Sequence, residues 1–201
     1  MKLRRLGLVA YEPTWRAMQA FNAARDEATG DQLWVLEHPP VYTLGLAGRR
    51  EHVLDPRDIP VVATDRGGQV TYHGPGQAIA YAMVDLRRLR VGARELVRRI
   101  ERAVIDTLSS YGISGERRDG MPGVYVRGAK IAAIGLRIAR GASYHGVALN
   151  SDLDLAPFAR IDPCGYPGLA STRLADEGVR DSMENVQSRL AASLEKCLTP
   201  T

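Results

Sequence analysis

The sequence predicts an α+β domain, with a mixed, largely antiparallel sheet flanked by helices. Two observations carry this. Strand-like stretches outnumber helical ones, and many neighbours are joined by short turns, which suits antiparallel pairing. The regular βαβ alternation of a doubly wound fold is missing. So are G-x-G-x-x-G after a strand and the Walker pattern G-x-x-x-x-G-K-[ST], which leaves nucleotide binding without a motif.

Residues 3–10 alternate loosely and read as a strand. Pro13 suits a helix start, Trp15, Met18 and Phe21 give that helix an apolar face, and Gly30 offers a stop. Gln32 to Glu37 is a strand, His38-Pro39-Pro40 breaks it, and Val41 to Leu44 resumes extended structure. Residues 46–59 are charged and loop-like, and Val61 to Thr64 is a short strand. Gln77 to Leu86 is strongly apolar and extended. Arg94 to Ser110 is a long helix with Leu96, Ile100, Val104, Ile105 and Leu108 inward, closed by Gly112. Gly123 to Arg127, Lys130 to Ile138 and Tyr144 to Asn150 read as strands. Residues 151–180 are irregular. Asp181 to Leu198 is a final helix, opened by Asp181 and Glu184 as a capping-box-like pair.

At 201 residues the chain is expected to form one domain, 1–201, with a sizeable core. No apolar run approaches the roughly 20 residues that span a bilayer. The basic N-terminus soon meets Tyr11, Glu12 and Pro13, so neither a membrane nor a signal peptide is expected. Two cysteines, Cys164 and Cys197, make no disulfide framework, and the expected compartment is the cytoplasm. A net charge of +4 is too small for a nucleic-acid footprint. The basic residues are nearly all arginine. Lysine occurs only at Lys2, Lys130 and Lys196.

The densest stretch runs from Arg66 to Gln77: Arg-Gly-Gly-Gln-Val-Thr-Tyr-His-Gly-Pro-Gly-Gln. Gly67-Gly68 and Gly74-Pro75-Gly76 are turn material, and Gln69 to His73 between them suits a short strand. The stretch is either a strand presenting backbone and polar groups to a ligand or a hairpin with costly turns.

Chemistry concentrates at two further positions. Cys164 lies between Pro163 and Gly165 in an irregular segment, where a thiol is either a nucleophile or an incidental surface group. A nucleophilic thiol needs a base or a positive charge nearby. Among the histidines, His52 and His38 read as solvated and structural, whereas His73 and His145 each precede a glycine and are more suggestive. Lys130 opens the apolar run Ile131-Ala132-Ala133-Ile134-Gly135. A buried lysine there could act as a base, and a strand-end lysine in water could not. Cys197, near the end of the last helix, reads as filler.

These segments resemble the octanoyltransferases of lipoate biosynthesis. The similarity is carried by Arg66 to Gln77, by His38-Pro39-Pro40-Val41-Tyr42-Thr43-Leu44-Gly45, by Gly128-Ala129-Lys130-Ile131-Ala132-Ala133-Ile134-Gly135, by His145 to Asn150 and by Pro163-Cys164-Gly165. They occur in order over nearly the whole chain. The resemblance implies the fold of biotin and lipoate protein ligases, with no cofactor and no metal. It implies transfer of an octanoyl or lipoyl group from acyl carrier protein, through a cysteine thioester, to a lysine of a lipoyl-carrier domain. Such acceptors belong to 2-oxoacid dehydrogenases and the glycine cleavage protein. By the same resemblance Cys164 is the acylated cysteine and Lys130 sets its pKa. Arg66, Gly67, Gly68, Gln69, Val70, Thr71, Tyr72 and His73 match segments that line the acyl group. So do Ala133, Ile134, Gly135, Gly146, Val147 and Ala148. Ser171-Thr172-Arg173-Leu174 departs from the run that often follows the cysteine, which leaves Ser171 and Thr172 without an implied role.

The partners implied are acidic proteins, which arginine clusters at Arg49-Arg50 and Arg87-Arg88-Leu89-Arg90 would steer if they are not simply solvated. A monomer is expected. Three competing readings remain: an ATP-dependent ligase of the same fold, a catalytically silent acyl-carrier binding module, and a cysteine hydrolase using His73 or His145.

Overall fold

The computed structural model describes residues 1–162 and 169–200. Nine strands and four α-helices alternate in the order β1 (Lys2–Leu8), α1 (Tyr11–Ala23), β2 (Gln32–Glu37), β3 (Val41–Leu44), β4 (Val61–Ala63), β5 (Val70–His73), β6 (Gln77–Met83), α2 (Leu86–Leu89), α3 (Ala93–Ser109), β7 (Gly123–Val126), β8 (Ala129–Ala139), β9 (Ala142–Asn150) and α4 (Met183–Leu198) among the described residues. Six strands form one sheet in the order β1-β2-β6-β9-β8-β7, and three form a second in the order β4-β3-β5. Each sheet has one parallel pair, β1 with β2 and β3 with β4, and is otherwise antiparallel. The mixed, largely antiparallel sheet expected from the sequence is present.

The large sheet is covered on both faces, so its central strand β6 reads as an unbroken buried run. Strand alternation sorts the side chains. Leu33 and Val35 of β2 and Ala78, Ala80 and Ala82 of β6 join Leu96, Ile100 and Val104 of α3 and Leu190 and Leu194 of α4 in one core. Trp34, Leu36, Ile79, Tyr81 and Met83 point the other way, onto Met18 of α1. Small alanines on one face let the two long helices pack close, and large side chains on the other meet a single helix. A third core of Tyr42, Val70, Tyr72, Leu153 and Ile161 lies against the small sheet.

Several boundaries differ from the sequence reading. α1 begins at Tyr11, two residues before Pro13, because Ala10 is already extended (φ −62°, ψ 143°) in the capping position, and it ends at Ala23, well short of Gly30. The strand expected to reach Leu86 stops at Met83. Asp85 interrupts it, its carboxylate accepting hydrogen bonds from the Arg87 and Arg88 amides at 2.8 and 3.2 Å and so capping the short α2. α4 is capped by Ser182, whose hydroxyl accepts from the Asn185 amide at 3.2 Å. Asp181 sits one residue before the cap and accepts from the Ser182 amide, the Asn185 side chain and the Tyr111 hydroxyl. No helix among the described residues is long and apolar enough to cross a membrane.

Candidate active site

Two rows of residues across three strands build the floor of the site. In one row Ala133 of β8 pairs with Ala148 of β9, which pairs with Ile79 of β6. In the next, Gly135 pairs with Gly146, which pairs with Tyr81. Directly opposed residues share a face, so four small residues leave a trough beside a wall formed by Ile79 and Tyr81. A cavity of about 320 Å³ occupies this trough. Glycine is required at Gly146, and little room is left for more at Gly135. A Cβ on Gly146 would come within 2.1 Å of the Ala80 carbonyl oxygen. One on Gly135 would crowd the Arg66 side chain and the Gly67 carbonyl oxygen, both at 3.1 Å.

The Arg66 to His73 segment forms the roof. β7 pairs with β8 only as far as Ala133, so the rest of the β8 edge is open to other partners, and the Gly67 amide donates to the Leu136 carbonyl at 2.8 Å. Arg66 is buried and holds its own loop. Its guanidinium donates to Thr43 Oγ1 and to the carbonyls of Thr43, Gly67 and Gln69, at 2.7–3.1 Å. Strand alternation in β5 turns Thr71 and His73 toward the cavity. Tyr72 turns its ring against Tyr42 and Phe158, and its side chain is not among those lining the cavity.

A buried polar cluster borders the cavity, with His73, Tyr81, His145 and Asn150 on its wall. His38 is fully buried between the Val9 carbonyl, 2.6 Å from Nδ1, and the Tyr81 hydroxyl, 2.7 Å from Nε2. Nδ1 therefore carries the proton and Nε2 accepts. Burial pushes its pKa down to about 4. His73 Nδ1 donates to Gln77 Oε1 at 2.8 Å, and burial together with the neighbouring His38 lowers its pKa to about 3. Gln77 continues to Asn150 Oδ1 at 2.9 Å, and Asn150 donates to the Thr172 carbonyl at 3.0 Å. His145 sits at φ +61° and donates from Nε2 to Asp65 at 3.0 Å. The Asp65 carboxylate also accepts from Trp15, Gln19 and Tyr144. Burial pushes that carboxyl up, but these hydrogen bonds outweigh it and hold it well below the ordinary range.

Lys130 stands at the other end of the cavity. Its Nζ donates to the Pro122 carbonyl at 3.4 Å and lies 5.3 Å from the centroid of the Tyr125 ring. Its backbone pairs with the chain that follows residue 168. The Lys130 amide donates to the Ala170 carbonyl at 2.8 Å, and the Thr172 amide donates to the Lys130 carbonyl at 3.0 Å. Cys164, the expected nucleophile, lies outside the described residues. Cys197 is half-buried against the α3–α4 core.

The structure therefore brings Arg66 to Thr71, His73, Lys130, Ala133 to Gly135 and Gly146 to Ala148 onto one cavity. Tyr11, Ile79, Tyr81, Asn150 and Phe158 also line it, and sequence reasoning missed them because they read as ordinary core or loop residues. Asp65 was missed too, although it directly precedes the glycine-rich stretch. Of the arginine clusters, Arg88 is committed to the fold, donating to Asp31 and to the Glu27 and Thr29 carbonyls.

The sequence model of the lipoyl protein ligase A/B catalytic domain family matches residues 10–195 of the chain. Among solved structures, a lipoate-protein ligase A bound with ATP superposes with a TM-score of 0.79 at 17% identity, covering 98% of this chain and 86% of that one. The biotin protein ligase of Aquifex aeolicus superposes with a TM-score of 0.59 at 10% identity, covering 98% and 68%. These likenesses establish the fold. Sequence relatives are nearer. The octanoyltransferase of Thiobacillus denitrificans is 60% identical over 196 residues, covering 98% of this chain and 90% of the relative. That of Laribacter hongkongensis is 57% identical over 195 residues, covering 97% and 94%. The chain belongs to the octanoyltransferase family of acyltransferases.

Proposed function

We propose that the chain, acting as one catalytic unit, moves an octanoyl or lipoyl group from acyl carrier protein to a lysine of lipoyl-carrier domains, by way of a thioester on Cys164. The observation that carries this reading is the trough of Ala133, Gly135, Gly146 and Ala148, on a cavity that Lys130 also lines. The trough suits an unbranched acyl chain, and at roughly 0.8 kcal/mol per buried methylene it would contribute on the order of 5 kcal/mol to acyl binding.

Cys164 loses its thiol proton to Lys130, and its sulfur attacks the thioester carbonyl of the donor. The carrier's thiolate leaves and takes up that proton. The acceptor lysine, as its neutral amine, then attacks the new thioester. An amide forms, Cys164 leaves as thiolate, and Lys130 receives the proton of the amine. The first step exchanges one thioester for another and the second runs downhill to an amide, so no ATP is needed. Support for the pairing is that residues 170–172, shortly after Cys164, are bonded to the Lys130 backbone.

Acceptors of the kinds named above, a cytoplasmic setting and a monomer complete the reading. The test is intact-mass measurement after incubation with octanoyl carrier protein and no ATP. The expected result is a hydroxylamine-labile octanoyl adduct on Cys164, absent from Cys164→Ser. Transfer that proceeds only with ATP would establish the ligase reading instead. Free octanoate as the main product in the presence of acceptor would establish the hydrolase.

A further inference from the structure

We infer that Glu101 of α3 is a positioning residue for Lys130, acting through the single peptide group that joins Pro122 to Gly123. The inference rests on the proposed role of Lys130.

The two ends of that peptide face opposite ways. Its N–H, on Gly123, donates to Glu101 Oε1 at 3.1 Å, and its carbonyl, on Pro122, accepts from Lys130 Nζ at 3.4 Å. Glu101 is buried on the inner face of α3, although its neighbours Arg98 and Arg102 are exposed. A glutamate in such a place is costly unless its oxygens are used. Oε1 takes the Gly123 amide, and Oε2 lies 3.1 Å from Arg117 Nε. Gly123 is itself shaped for the lysine. Its φ is +137°, and a Cβ there would come within 2.6 Å of the Ala132 carbonyl oxygen and 3.2 Å of Lys130 Cε. The lysine stem runs across the glycine because no side chain is there.

The arrangement suits a group that must gain and lose a proton. Lys130 Nζ carries at least two N–H bonds whether charged or neutral, so it can donate to Pro122 in both states. The nitrogen then stays in one place in both states. A carboxylate on the N–H end of a peptide also polarises its carbonyl and strengthens it as an acceptor. Other groups around Lys130 among the described residues include the Tyr125 ring, with Arg118 also stacked over it at 4.6 Å, Ser171 alongside, and Thr172, whose hydroxyl reaches Glu177. Arg117 offsets part of the Glu101 charge.

The experiment compares Glu101→Gln and Glu101→Leu with the parent chain and with Lys130→Met, measuring octanoyl transfer against pH and thermal unfolding. Glutamine keeps an acceptor for the Gly123 amide without the charge. It is expected to keep kcat within about threefold of the parent while the acidic limb of the pH profile moves a few tenths of a unit lower, since a lost negative charge favours deprotonation. Leucine frees the peptide. It is expected to lower kcat about 10–100-fold, with KM for the carrier protein unchanged within about twofold. Two results would overturn the inference: both variants keeping the parental kcat and pH profile, or both losing kcat equally in step with their thermal midpoints. Full activity in Lys130→Met would instead overturn the reading of Lys130, and this inference with it. If leucine prevents folding, an unshifted pH profile in Glu101→Gln is sufficient to reject it.

Discussion

His145 Nε2 lies 3.0 Å from Asp65 Oδ1, and through this pair the floor of the cavity is tied to the segment that roofs it. The same carboxylate takes Trp15 and Gln19 of α1 and Tyr144 of β9. His145 holds a backbone φ of +61°, uncommon for a residue other than glycine, and the tie helps keep it there. Asp65→Ala leaves these donors facing an apolar methyl group. The expected loss is about 2 kcal/mol or more in stability by urea denaturation, with a fall in transfer rate. An unchanged urea midpoint would show that water replaces the carboxylate at no cost.

Acid should unfold the chain earlier than its carboxylates alone would dictate. His38 and His73 are held neutral by burial, at about 4 and about 3, and burial lowers His145 as well. In the unfolded chain these groups titrate near 6.5. Between that value and their folded values the unfolded state binds more protons, so stability rises with pH and is lost on acidification. From pH 7 to pH 5, His38 and His73 together should remove on the order of 3 kcal/mol. The depressed carboxyl of Asp65 adds a loss of the same sign below about pH 4. Urea denaturation at pH 7, 6 and 5 measures this, and a flat profile is the contrary result.

The two floor glycines should fail in different ways. Gly146→Ala drives a methyl group into the backbone of β6, so the expected effect is a loss of about 2 kcal/mol or more in thermal or urea unfolding. Gly135→Ala meets the flexible Arg66 stem and a loop carbonyl, both of which can shift by a few tenths of an ångström. Its fold should survive while octanoyl transfer falls more than transfer of a butanoyl group. Equal losses for both chain lengths would argue that the trough does not hold the acyl chain.

Arg66→Lys keeps the charge and removes the planar fork that bonds the carbonyls of Thr43, Gly67 and Gln69. A single ammonium cannot span these acceptors. Amide hydrogen exchange across residues 66–70 should quicken about tenfold or more, and transfer should slow in parallel. Parental exchange rates in the variant would show that the backbone hydrogen bonds of Gly67 to Leu136 and of Gly45, Leu46 and Ala47 to residues 66–69 hold the roof without the guanidinium.

Much of this was legible in the sequence because it is local. The continuous apolar runs of β2 and β6, the helical period of Leu96, Ile100 and Val104, and the glycine turns around Gln69 to His73 depend on neighbours a few residues away. Boundaries fixed by a side chain were less legible: Asp85 ends a strand that its apolar composition would continue. What the tertiary structure alone decided is long-range. Only the register of β8 on β9 makes Ala133, Gly135, Gly146 and Ala148 one trough, since a slip of β8 by one residue would turn Ala133 and Gly135 to the other face, away from Gly146 and Ala148. Only alternation within β5 separates His73 from Tyr72, adjacent in the motif and on opposite sides of the strand. Asp65 and Glu101 look like ordinary charged residues until the fold buries their hydrogen-bond partners beside them. The chain alone determined which residues can line a slot or move a proton. Which of them face one another was settled by packing, because a hydrogen bond or a steric limit acts over a few ångströms of space, whatever the separation in sequence.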